Sequence, residues 1–122
     1  MHTPGMLRRT RKYYSATVYD VLRFYHVKIF ELLCSACGGL HCFDGGSIGL
    51  LNLNNRDLFT HSLLKHYSLS MVTAQLPFHA QWRSVILTYS SNGLLSAADH
   101  TKFMEKRAEF RAAWLSYVIL MR

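Results

Sequence analysis

Thr17-Val18-Tyr19-Asp20-Val21-Leu22-Arg23-Phe24-Tyr25-His26-Val27-Lys28-Ile29-Phe30-Glu31-Leu32-Leu33-Cys34 is the stretch on which the fold class turns. At 100° per residue, Val18, Val21, Leu22, Tyr25, Ile29, Leu32 and Leu33 share one arc of about 120°, the width of an apolar helix stripe. Thr17 suits the N-cap. Asp20 suits the first turn, where a carboxylate meets the positive end of the helix dipole. Asp20, Arg23 and Glu31 lie opposite the stripe, and Phe24, Val27 and Phe30 interrupt that polar side. The spacing predicts a first helix over 17–34, with Phe24, Val27 and Phe30 left over for a partner interface.

Downstream, residues 34–56 break the helical period. They hold Gly38, Gly39, Gly45, Gly46 and Gly49, then Asn52, Asn54 and Asn55. This reads as a glycine-rich irregular loop with a short strand at 47–53. A loop that long in a small domain is usually functional or ordered by a partner. A second helix is expected from Asp57 to about Val72, with Phe59, Leu63, Tyr67 and Met71 inward. Pro77 opens a third, striped by Phe78, Trp82, Val85, Ile86 and Tyr89 and ended by Asn92-Gly93. Ser96-Ala97-Ala98-Asp99 has the form of a capping box and starts a fourth that reaches Met121. That helix carries two apolar stripes, the second made of Met104, Ala108, Ala112, Leu115 and Ile119. Met104, Leu115 and Ile119 therefore join the candidate partner interface. The expectation is an all-α fold, a small four-helix bundle-like domain with the irregular loop between helices 1 and 2.

The 122 residues fit one domain, divided into a basic N-terminal arm at 1–15 and a helical body at 16–122. Charged residues make up 17% of the chain, against a globular average of about 25%. Few charges and ample apolar content suit a chain that hides surface in a partner. The net charge is +7, and Arg8, Arg9, Arg11 and Lys12 supply +4 of it within twelve acid-free residues. These four bases are the candidate RNA- or anionic-lipid-binding residues, and the adjacent Tyr13 and Tyr14 can stack on unpaired bases. Arginines, hydroxyls and no acid before Asp20 also resemble the composition of a mitochondrial presequence. The compartment expected from this is mitochondrial, otherwise cytoplasmic. No stretch is apolar enough over about 20 residues to cross a membrane, which leaves peripheral membrane contact.

Cys34-Ser35-Ala36-Cys37-Gly38-Gly39-Leu40-His41-Cys42 is the sharpest chemical constellation. Thiolates and imidazole suit the tetrahedral shell of zinc, so Cys34, Cys37, His41 and Cys42 are the candidate metal ligands, with His61 or His66 as a substitute fourth. Three residues separate Cys37 from His41, and Cys42 adjoins it, a departure from the zinc-knuckle spacing. Buried apolar cysteines are the leading account of the pattern, and on that reading there is no cofactor. No phosphate-binding glycine motif, nucleophile elbow or HExxH occurs, so no catalytic residue is assigned and no enzyme activity is expected. The leading functional expectation is a non-catalytic accessory subunit of a larger mitochondrial assembly, a respiratory or ATP synthase complex, with other protein subunits as partners. Its alternatives are an RNA-contacting subunit of a ribosome or RNA-processing complex, and a small zinc- or redox-active protein built on Cys34, Cys37 and Cys42.

Overall fold

The computed structural model describes residues 7–34, 40–41, 45–75 and 77–120. Its architecture is α+β. Five strands, β1 (Leu7–Tyr19), β2 (Phe24–Cys34), β3 (Leu40–His41), β4 (Leu50–Asn52) and β5 (Asp57–Thr60), form one mixed sheet in the order β3-β2-β1-β5-β4. Four helices follow: α1 (His61–Ala74), α2 (Phe78–Ser91), α3 (Ala97–Met104) and α4 (Arg107–Leu120). β1 runs parallel to β5, and the other pairings are antiparallel.

The all-α expectation is thus corrected, and the error begins in 17–34. Those residues form the end of β1, a turn and β2. Tyr, Thr, Val, Phe and Ile dominate the stretch, and β-branched and aromatic side chains fit a pleated surface better than a helix. The governing period is two. Tyr14, Ala16 and Val18 pair across the ladder with Ile29, Val27 and Tyr25, while Tyr13, Ser15, Thr17 and Tyr19 pair with Phe30, Lys28, His26 and Phe24 on the other face. Val21 and Leu22, which completed the helical arc, sit in the turn. There the Asp20 carboxylate accepts from Val21 N at 2.8 Å, and Asp20 N donates to the Arg23 carbonyl at 2.9 Å.

The glycine-rich loop is corrected in part: the described part of 34–56 contains β3 and a 3-10 turn at Gly46–Ile48, while β4 lies within the strand expected at 47–53. Asp57 does not begin a helix but starts β5, and the cap of α1 is Thr60, whose hydroxyl accepts from Leu63 N at 3.1 Å. α2 runs from just after Pro77 to Ser91. Ser96 caps α3, accepting from Asp99 N and donating to the Asp99 carboxylate. The expected single fourth helix is broken at Glu105–Lys106 into α3 and α4.

The helices cover one face of the sheet. Tyr19, Phe59 and Leu51 on that face meet Leu63, Leu64, Tyr67, Trp82, Ile86, Tyr89 and Phe110 in the main core. Trp82 is fully buried, stacks on Phe110 at 5.1 Å and donates its indole N–H to the Phe103 carbonyl at 2.8 Å. The opposite face carries a second cluster of Ala16, Val18, Ile29 and Leu58, made of strand residues alone. Val18 and Leu58 are fully buried there with no helix packed on them among the described residues, and the curl of the sheet encloses them. Chain length favours the curl. His41 and Gly45 are four residues apart and span at most about 14 Å, whereas the outer strands of a flat five-stranded sheet lie about 19 Å apart. Gly45 nonetheless reaches β4, its carbonyl accepting from Leu50 N at 2.9 Å.

Candidate functional site

Three features concentrate the chemistry of the chain. The first is the exposed end of the β1–β2 ladder. Beyond the helices, the face that begins at Tyr19 and Phe24 continues through the pairs Thr17–His26, Ser15–Lys28 and Tyr13–Phe30. Tyr13 is 47% exposed, and its ring lies 5.8 Å from that of Phe30 in a tilted arrangement. The Lys28 ammonium sits over the Tyr13 ring at 4.9 Å. The Thr17 hydroxyl and His26 Nδ1 are 3.1 Å apart. A groove of about 410 Å³ runs between Ser15, Thr17, His26 and Lys28. Of the candidate basic residues, Arg8, Arg9, Arg11 and Lys12 all lie within β1, so residues 7–15 of the expected arm are strand. Lys12 is mostly exposed and reaches the buried Glu31 carboxylate of β2 at 4.0 Å.

The second feature is the cysteine constellation. Cys34 ends β2 and His41 ends β3, and the two strands are antiparallel with Leu32 paired to His41 and Leu33 to Leu40. In such a ladder paired residues and those two positions away share a phase, so the backbone register puts Cys34 and His41 in the same phase at one hairpin. Cys37 and Cys42 lie outside the described residues. Three thiols and one imidazole within nine residues of sequence fit a zinc ion by donor chemistry. His61 and His66 are placed elsewhere: His61 packs its ring 5.3 Å from Tyr117, and His66 lines a groove with Val21, Gln81 and Val85. Among the described residues, no group of three or more His, Cys, Asp or Glu side chains could hold a metal ion.

The third is a buried polar network that the sequence did not announce. The Asp57 carboxylate accepts from the Tyr19 hydroxyl at 3.3 Å, Asn54 Nδ2 at 3.2 Å and the Lys106 ammonium at 3.2 Å. Three donors converge on the one buried carboxylate, which suits a structural tie better than proton transfer. Burial, and then the Asp57 charge, pushes the Tyr19 hydroxyl far above the usual phenol range.

The candidate partner residues divide. Phe24 and Met104 pack against the main core, and Val27 against the second cluster. Phe30 is half-buried beside Tyr13. Leu115 and Ile119 stand 44% and 67% exposed on α4.

A family model described as CxC4 like cysteine cluster associated with KDZ transposases matches residues 2–117. The match corrects the expectation of a mitochondrial accessory subunit, and with it the alternative of a ribosomal or RNA-processing subunit. Those expectations rested on the composition of residues 1–15 and on apolar stripes drawn for helices that are partly strands. No characterised protein and no solved structure matches the chain. Its cysteine-bearing hairpin and the match over nearly its whole length place it: the chain belongs to the family of CxC4 like cysteine clusters associated with KDZ transposases.

Proposed function

We propose that the chain is a non-catalytic, DNA-contacting module that accompanies a transposase, with the hairpin of Cys34, Cys37, His41 and Cys42 holding a zinc ion. The observation that carries this reading is family membership over residues 2–117, since transposases work on DNA. The charge supports it: the chain is +7, and four of its bases fall within residues 8–12 of one strand. Bases carried on a strand lose less entropy on meeting a phosphate backbone than those of a free tail would. A bound zinc would supply a structural cross-link between the ends of the hairpin. Cys34 and His41 would hold it from the two strands, and Cys37 from the link between them. Anchoring that link would also fix the neighbouring end of the β1–β2 ladder, where the bases lie.

Duplex binding followed by fluorescence anisotropy tests the DNA reading. Affinity should fall steeply between about 50 and 200 mM salt, and replacing Arg8, Arg9, Arg11 and Lys12 together by Ala should reduce the log–log slope by about 3 to 4. A chain that leaves the duplex unbound at about 50 mM salt overturns it. Elemental analysis should find about one zinc per chain, lost on Cys34→Ser with Cys37→Ser. A metal-free, fully folded protein overturns the zinc assignment.

A further inference from the structure

The geometry points to the exposed β1–β2 face as a platform for unpaired DNA, with Tyr13 and Phe30 stacking bases and Lys28 holding the phosphate chain beside them. This deepens the DNA-contacting reading and rests on it. The helices stop at the Tyr19–Phe24 pair, so the same face emerges into solvent through Thr17, Ser15 and Tyr13 over about 14 Å of strand. That length is comparable to sheet surfaces on which two or three bases stack.

The residue types on it are those that unpaired bases need. An aromatic ring exposed on a sheet offers a π-face that a base in a duplex cannot reach, because its own faces are already stacked. Tyr13 is half exposed and directly opposite Phe30, so two rings lie 5.8 Å apart on adjacent strands. Lys28 is exposed with its ammonium 4.9 Å from the Tyr13 ring, close enough to meet the phosphate of a nucleotide stacked there. Ser15, Thr17 and His26 line the adjoining groove of about 410 Å³ with hydrogen-bonding groups. No acidic residue belongs to this face between Tyr13 and Thr17 or between His26 and Phe30. Arg8, Arg9, Arg11 and Lys12 lie farther along the same strand. The charge therefore matches a polyanion and the rings match its bases.

The experiment compares a fluorescein-labelled oligothymidine of about 12 nucleotides with a duplex of equal length. The wild-type chain should bind the single strand more tightly. Tyr13→Ala should weaken single-strand binding by about 10-fold while duplex affinity stays within about 2-fold, and Tyr13→Phe should restore it because the ring is kept. Lys28→Ala should weaken single-strand binding and lower its salt dependence by about one phosphate contact. If Tyr13→Ala lowers both affinities equally, or neither, the platform is overturned while the DNA-contacting reading stands. If neither form of DNA binds the wild-type chain, both fail together.

Discussion

Tyr19 and Tyr89 each bury a phenol and give its proton to a fixed acceptor: Tyr19 donates to the Asp57 carboxylate, Tyr89 to the Asp20 carbonyl. Burial first, and a nearby carboxylate second, raises both hydroxyls well above their ordinary range. In the unfolded chain they ionise near pH 10, whereas the folded chain keeps both protons. Above pH 10 the unfolded state therefore binds fewer protons, and stability falls as pH rises. The contribution is fully present below pH 10 and is lost above it at about 1.4 kcal/mol per pH unit for each tyrosine. Urea midpoints between pH 9 and 11 should show this decline, and Tyr89→Phe should make it shallower by removing one of the two contributions. At this scale much of the candidate site was legible: the bases at 8–12 and the Cys34–Cys42 constellation stand out by residue type. The pairing of Tyr13 with Phe30 and Lys28 was not, because it exists only once residues 13–30 fold as a hairpin.

At the scale of elements, the start of α1 shows how a sheet hands over to a helix. Thr60 ends β5 opposite Leu50 of β4, its hydroxyl accepting from Leu63 N and donating to the Asp20 carboxylate at 2.8 Å. One side chain thus caps α1 and ties the β1–β2 turn to it. Thr60→Val keeps the shape and deletes both bonds; it should cost about 2 kcal/mol in chemical denaturation, against about 1 for the exposed single cap Ser96→Ala. Equal costs would mean that the tie to Asp20 adds nothing. The Ser96 cap and the Pro77 start were readable because capping is a local matter. The β1–β2 hairpin was not, because seven apolar residues satisfied a 3.6 period by coincidence and alternation was masked by Val21 and Leu22 in the turn.

Across the whole molecule, the parallel pairing of Thr17–Tyr19 with Asp57–Phe59 joins segments 40 positions apart, which no local pattern announces. Asp57 makes that joint a junction for the helices too, since Lys106, at the break between α3 and α4, reaches down to it. Lys106→Met leaves a buried carboxylate without its cation and should cost about 2 kcal/mol in urea unfolding. Adding Asp57→Asn should recover a good part of that loss, with a coupling of about 1 kcal/mol; strictly additive effects would show that the two residues act independently. β5 covers only the last three residues of β1, so among the described residues β1 has no strand on that side from Leu7 to Ala16. Such an open edge invites pairing with a strand of another molecule, and a cluster of like charges is one way in which proteins discourage it. Arg8, Arg9, Arg11 and Lys12 are such a cluster along β1. Neutralising them with a polyanion or concentrated salt should therefore favour self-assembly through this edge, which light scattering across a salt series would show.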